Sequence, residues 1–323
     1  MGWFDPVNLC LTVGRNPSVA VVDIGSNSIK LLVATRDAVG NLSALCQKTL
    51  DVRISAGLGR TAPRLGEDGM AAGLEAVQQL LALSSPFVPR QTVLVATSAV
   101  RDAANGTDFS ARVKAATGHS IRILGGDEEA NLIGRGLLCD PALAALRDFY
   151  VFDLGGGSLE CLAFRDRCVA QAVSLPLGCV RLTERFITDP IWPVTTAVTT
   201  ALALHVREVL QASGFHFGSG STGAVFTGGS MTSVRAMTGA MHGVALADTP
   251  PFVSADTLSA LIEETLPLTL AARKKIPGLP AARADVFPAA LITMLTVAEL
   301  GGFRHFHHSL HNLRWGVAAE ALG

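Results

Sequence analysis

Two stretches of this 323-residue chain align on each other without a gap: "VDIGSNSIKLLVA" (22–34) and "FDLGGGSLECLAF" (152–164). Asp23 matches Asp153, Gly25 matches Gly155, Ser28 matches Ser158 and Leu32 matches Leu162. Each copy reads as a strand, a glycine- and serine-rich turn and a second strand, and such a duplication predicts two similar domains facing a shared ligand. In the second copy Asp153 and Glu160 flank a loop that is nearly bare of side chains: Gly155, Gly156, Gly157 and Ser158. Glycine reaches left-handed dihedrals and lets backbone N–H groups approach a ligand closely. Successive N–H groups form an anion-binding concavity that suits phosphate. Two carboxylates beside bare phosphate would repel it, but they fit if a hard cation such as Mg2+ takes carboxylate and phosphate oxygens together. A tight hairpin with Asp153 and Glu160 solvated would use the same residues; the second copy favours the ligand.

Length and charge are compatible with this organisation. The chain is long enough for about two domains of roughly 150 residues each. Lys and Arg total 26 against 27 Asp and Glu, so no global positive field speaks for nucleic acid, and a polyanion has to be held by local clusters. The hydrophobic fraction is 49%, yet no apolar run approaches the roughly 18 residues of a membrane span. The opening "MGWFDPVNLCLTVGRNPS" lacks a basic n-region and reads as a poorly ordered leader, not a signal peptide. Six cysteines (10, 46, 139, 161, 168, 179) form no CxxC pair, which suits reduced thiols in a cytoplasmic protein.

Along the chain, strands and helices alternate. Strands are expected at 19–24 and 29–35, with a turn at "DAVGNLSA" and a helix over 67–85. "TVLVATSAV" reads as a buried strand entering a loop that ends in Arg101, followed by the helix "DFSARVKAAT" and the strand "IRIL" running into "GGDEEANLIGRGLL". The second half repeats the order: strands at 149–153, 159–164 and near 169–173, then helices over 193–212. "GAVFTGGSMTSVRAM" (223–237) reads as strand, glycine turn and helix start, and the final third as largely helical with a break at Pro277 and Pro280. Such alternation implies sheets covered by helices, with the site on loops at strand ends.

The segments "VVDIGSNSIKLLVA", "VATSAVRDAANG", "ILGGDEEANLIGRGLL", "VFDLGGGSLECLAF", "LPLGCVRLTERF", "FTGGSMTSVRAM" and "RADVFPAAL" together resemble the Ppx/GppA family of exopolyphosphatases and guanosine pentaphosphate phosphohydrolases. The resemblance runs over roughly 19–318, in order, and no counterpart to the extra C-terminal helical domains of longer members is expected. It implies an α/β protein of two ribonuclease-H-like domains, similar to actin and the sugar kinases, with a cleft between them. The expected division is 1–135, with the first phosphate loop, and 136–323, with the second loop and a helical C-terminal part. It further implies Mg2+-dependent hydrolysis of a terminal phosphate.

By the same resemblance the general base is a glutamate of the EEA triplet, placed on Glu129 with Glu128 as the alternative. A carboxylate there orients and deprotonates water for in-line attack on phosphorus. Both glutamates would also suit a helix N-terminus, where acidic groups are favourable anyway. Asp153 and Glu160 are expected to hold Mg2+ or its waters, with Asp23 contributing from the opposite loop. Arg101 is expected to grip a phosphate oxygen through its forked guanidinium. Ser26, Asn27 and Ser28 in the first loop, beside Gly25, and Gly156, Gly157 and Ser158 in the second, beside Gly155, are expected to cradle phosphates. Lys30 stands where the other copy has Glu160, so the metal chemistry is assigned to the second loop.

Departures from the family pattern also matter. Ser230 of "GGSMTS" replaces a common threonine, and in the related kinases this region contacts adenosine, which leaves a nucleotide substrate open. His305, His307, His308 and His311 lie close in sequence, and 307 and 311 would share a face if the segment were helical; a metal there and a phosphate-facing surface are both open. "AARKKIPGLPAARAD" groups Arg273, Lys274, Lys275 and Arg283 as either a solvated segment or a polyphosphate track. Three functions follow: an exopolyphosphatase acting on inorganic polyphosphate, a guanosine pentaphosphate phosphohydrolase, or a weakly catalytic sensor of the same ligands. Oligomeric state is left open, with the apolar C-terminal helices as one candidate surface for a homodimer.

Overall fold

In the computed structural model, residues 16–55, 62–218 and 223–323 are described; the opening leader and Cys10 lie outside them. The first half forms a five-stranded sheet from β1 (Ser18–Ile24), β2 (Ser28–Arg36), β3 (Leu42–Asp51), β4 (Gln91–Ala96) and β5 (Ile121–Ile123), in the order β3-β2-β1-β4-β5. Its helices are α1 (Glu67–Ser84), the single turn α2 (Ser98–Arg101), α3 (Gly106–Thr117) and α4 (Gly126–Leu138). The second sheet contains β6 (Phe149–Leu154), β7 (Leu159–Arg165), β8 (Cys168–Leu175), β9 (Gly223–Thr227), β10 (Phe252–Ser254) and β11 (His305–His308), in the order β10-β11-β9-β6-β7-β8. Around it lie α5 (Cys179–Phe186), α6 (Thr196–Ala212), α7 (Gly229–Met241), α8 (Ala255–Thr265), the short α9 (Leu270–Arg273), α10 (Phe287–Gly301) and α11 (Leu313–Leu322).

The sequence repeat is a structural repeat. β1 pairs antiparallel with β2 and parallel with β4; β6 pairs antiparallel with β7 and parallel with β9. Both lobes therefore carry a three-stranded meander with a parallel fourth strand beside its first. Strand side chains alternate between faces, and β1 uses both. Val19 and Val21 enter a core with α4 and α11, whereas Ala20, Val22 and Ile24 enter the core under α1 and α3. In β6, Phe149 and Val151 join the first of these cores, while Tyr150, Phe152 and Leu154 face the core of the second lobe. One apolar core thus joins the two sheets through α4 and α11.

The same alternation positions the polar ends of these strands. Asp23 extends the Val19 and Val21 row; Lys30 extends that of Leu32 and Ala34; Asp153 follows Phe149 and Val151; Glu160 precedes Leu162 and Phe164. All four side chains leave their strands on the face that looks toward α4 and α11.

Two expectations change. The segment before Arg101 closes into the helical turn α2, with Arg101 N donating to Thr97 O, instead of running as a loop. The histidine run is no helix: His305–His308 is the strand β11, paired with β9 and β10, and His311 lies beyond it. A helix face shared by His307 and His311 therefore does not form. The apolar faces of α10 and α11 are buried within the molecule. Among the described residues no helix is long and apolar enough to cross a membrane.

Candidate active site

Each glycine loop closes with the same bond: Gly25 N donates to Ser28 O at 3.2 Å, and Gly155 N to Ser158 O at 3.0 Å. None of Gly155, Gly156 and Gly157 has a positive φ, so the left-handed dihedrals expected for them are not used. What these glycines supply is space between the lobes. A Cβ on Gly156 would lie 2.7 Å from the Ser26 Cβ, and one on Gly157 would lie 2.2 Å from the Ser98 Oγ. The two loops meet backbone to side chain, and the repeat units face each other as the sequence expectation required.

Between them is a small polar cavity of about 60 Å3. Its lining includes Asp23, Ser26, Asn27, Ser28, Lys30, Glu129, Asp153, Gly156, Ser158 and Glu160. Gly25 and Gly155 also line it, whereas Arg101 and Gly157 are not among its lining residues. Strand register explains why the carboxylates converge: Asp153 sits directly opposite Glu160 on β6 and β7, as Asp23 sits opposite Lys30 on β1 and β2. The two copies are geometrically equivalent, and the lysine-for-glutamate exchange divides them into a charge-balanced pair and a doubly acidic pair.

Burial governs the electrostatics. Asp153 is 8% exposed and Glu160 2%. Loss of hydration pushes the Asp153 carboxyl up to about 6, against the pull of Lys30. Burial, then the charge of Asp153, pushes Glu160 up to about 7, although the Ser158 and Ser174 hydroxyls favour its ionised form. Ser174 Oγ donates to Glu160 Oε1 at 2.8 Å. Burial also raises Asp23 and lowers Lys30.

The EEA triplet opens α4, and its two glutamates diverge. Glu128 turns outward, accepting from Gly125 N at 3.3 Å and from Arg122 Nε at 2.8 Å, so it caps the helix. Glu129 turns inward, 5% exposed. Its Oε2 accepts from Arg101 Nη1 at 2.8 Å, and Arg101 also donates to Leu124 O and Asp102. Burial, then Glu160, holds the Glu129 carboxyl well above the usual range despite Arg101.

The sequence profile of the Ppx/GppA phosphatase family matches residues 19–323. The chain belongs to the Ppx/GppA family. Solved structures agree in fold. A Ppx/GppA enzyme of Aquifex aeolicus matches with a TM-score of 0.76 at 24% identity, covering 95% of this chain and 100% of the other. An exopolyphosphatase of Cytophaga hutchinsonii gives 0.84 at 21%, covering 94% and 97%. An exopolyphosphatase-like protein gives 0.85 at 23%, covering 95% and 98%.

Within this Ppx/GppA chain, several cleft residues carried no local sequence signal. Arg314 on α11 is 7% exposed, donates to Leu31 O at 2.9 Å and places its charge near Asp23 and Asp153. Arg181 on α5 donates through Nε to Gly157 O at 2.8 Å and pairs with Asp102 across the lobes, bracing the second loop. The basic segment before the C-terminal helices divides. Arg273 is fully buried and donates to Ala284 O and Pro190 O, a packing role, whereas Arg283 enters the cleft, with its Nη2 3.4 Å from Ser28 Oγ. Gly229 makes that entry possible, because a Cβ there would fall 2.5 Å from the guanidinium.

A second cavity of about 420 Å3 adjoins the first and shares Lys30, Gly228, Gly229, Arg283 and Asn312 with it. Of the histidines, His308 is buried against Arg235 and Thr232, and His311 stacks on Trp315 near Asp140. Among the described residues no three His, Cys, Asp or Glu side chains form a metal cluster.

Proposed function

We propose that this Ppx/GppA phosphatase is a cytoplasmic exopolyphosphatase that hydrolyses the terminal phosphate of inorganic polyphosphate with Mg2+. The observation that carries this reading is Glu129: a buried, cleft-facing carboxylate fixed by Arg101 and standing across from the paired glycine loops. Burial makes it a stronger base than a solvated glutamate, and general bases work best with a pKa near the operating pH. In this account Glu129 accepts a proton from a water aimed at the terminal phosphorus. Ser26, Asn27 and Ser28 on one side, with Ser158 and the backbone N–H groups of Gly156 and Gly157 on the other, hold the phosphoryl oxygens. Arg101 keeps Nη2 for one such oxygen while Nη1 orients the base, and Lys30 and Arg283 balance the following phosphates.

Mg2+ suits Asp153 and Glu160. It favours hard oxygen ligands and is bound through one or two carboxylates plus substrate phosphates, keeping waters for the rest. A donor pair of this kind needs no three-residue cluster. When bound, the ion would neutralise charge on the leaving polyphosphate. Asp23 faces the same space from the first loop and is assigned a supporting contact through water.

A specific observation supports guanosine pentaphosphate as a second substrate reading. The adjoining cavity of about 420 Å3, reached past Lys30 and Arg283, has room beyond a linear phosphate chain. The test is phosphate release with Mg2+ from long-chain polyphosphate, tripolyphosphate and guanosine pentaphosphate at equal terminal-phosphate concentration. Release from polyphosphate, lost in EDTA, is expected. Release from the nucleotide alone would move the function to that substrate, and release from none would contradict hydrolysis.

A further inference from the structure

Asn27, in the first loop, is 5% exposed and lines the cleft. Its Oδ1 accepts from Arg53 Nε at 3.1 Å and from Arg53 Nη2 at 3.0 Å. A guanidinium only donates, so this contact fixes which end of the amide is oxygen. The other end, Nδ2, is buried and has no hydrogen-bond partner among the described residues. An unsatisfied buried donor is costly, and in a native structure it asks for a missing acceptor. A phosphoryl oxygen in the cleft is an acceptor of the right kind.

Arg53 is itself held in place from two directions. Its backbone sits at φ 47, in the left-handed region that residues with a Cβ seldom occupy, and its N–H donates to Asn27 O at 3.0 Å. Its guanidinium then crosses to the second lobe, pairing with Asp285 and donating to Ala282 O at 3.1 Å. Backbone and side chain of one residue thus grip both ends of Asn27, with an anchor in the other lobe.

We propose that Arg53 is a positioning residue for anion binding: by holding Asn27 Oδ1, with Asp285 as its anchor, it presents Asn27 Nδ2 to a phosphoryl oxygen of the ligand. This rests on the reading of the cleft as a phosphate site. The contact forms no covalent bond; Arg53 acts wholly through Asn27.

The test is a double-mutant cycle on tripolyphosphate binding by titration calorimetry with Mg2+, together with phosphate-release kinetics. Arg53→Ala and Asn27→Ala are each expected to weaken binding about tenfold, the scale of one hydrogen bond to a charged group. KM is expected to rise by the same factor with kcat changed less. In the Asn27→Ala background, Arg53→Ala is expected to add less than about twofold, because coupled residues are non-additive. Arg53→Lys serves if the alanine variant does not fold: one ammonium cannot hold Asn27 and Asp285 together, so a smaller loss is expected that also vanishes in Asn27→Ala. Equal effects of Arg53 substitution in both backgrounds, or none in either, would overturn the assignment while leaving the phosphate site standing. Wild-type protein that fails to bind tripolyphosphate would overturn the phosphate site, and this assignment with it.

Discussion

Four buried carboxylates share one small space in this molecule, and their costs have readable consequences. Folded Asp153 and Glu160 keep their protons up to about 6 and 7, whereas ordinary carboxyls of these types release theirs near 3.8 and 4.5. The folded state therefore holds more protons through that window, and its stability falls as pH rises across it. For Asp153 alone the loss is on the order of 3 kcal/mol. In EDTA the melting temperature is expected to be lower at pH 8 than at pH 5.5, with Mg2+ recovering part of the difference at pH 8; an equal or higher value at pH 8 would contradict the buried cluster. Protons and Mg2+ compete for the same oxygens, so the Mg2+ concentration for half-maximal activity is expected to rise as pH falls below about 7. Glu160→Ala is expected to raise that concentration at least about tenfold; an unchanged metal titration would remove Glu160 from the metal's surroundings. Asp23 and Asp153 were legible in the sequence because the motif repeats locally, Glu160 because it flanks the second glycine loop, and Glu129 only through the resemblance to the family. Arg53, Arg181 and Arg314 were not, because each reaches the site by a contact across the fold that no local spacing encodes.

Two helices determine where Glu129 sits. α4 carries Glu129 on its first turn, and α11 crosses it so closely that side chains are excluded at the contact. A Cβ on Gly316 would lie 1.8 Å from Leu132 O, and one on Gly136 would lie 2.2 Å from Asn312 O. Both obstacles are backbone, which cannot swing aside. Gly316→Ala is expected to cost about 1–3 kcal/mol by overpacking. It is also expected to lower kcat, since α4 must shift; unchanged melting and turnover would show that the crossing tolerates displacement. At this scale most strands and helices were legible from periodicity, because one buried face leaves a plain mark. β11 was not: "HFHH" gains its strand partners from β9 and β10, distant in sequence, and its histidine spacing also suits a helix. The glycines of the second loop were legible as glycines, but their reason, contact with Ser26 and Ser98, belongs to the other lobe.

The whole molecule is two repeats fastened by a shared interior. Val19, Val21 and Leu32 of the first sheet, Phe149, Val151 and Leu162 of the second, and Leu313, Trp315 and Val317 of α11 belong to one apolar core. Arg53 with Asp285 and Arg181 with Asp102 bridge the lobes near the cleft. Calorimetric unfolding is therefore expected as a single transition, even though the sequence divides into two similar units; two resolved transitions would show that the lobes hold together independently of the core. Deletion of 313–323 is expected to destabilise both lobes, because α11 packs against strands of the first while closing the core of the two.

Whether Glu129 takes the proton from the attacking water is decided most directly by one substitution. Glu129→Gln keeps the shape and the Arg101 contact while removing basicity. Phosphate release from long-chain polyphosphate at saturating Mg2+ would be measured for this variant and the wild type, with tripolyphosphate affinity measured on the same preparations. If Glu129 is the base, kcat is expected to fall by about 10²–10⁴-fold with affinity changed by less than about threefold. Turnover near the wild-type rate with affinity intact would contradict it, and the base would have to be sought elsewhere in the cleft.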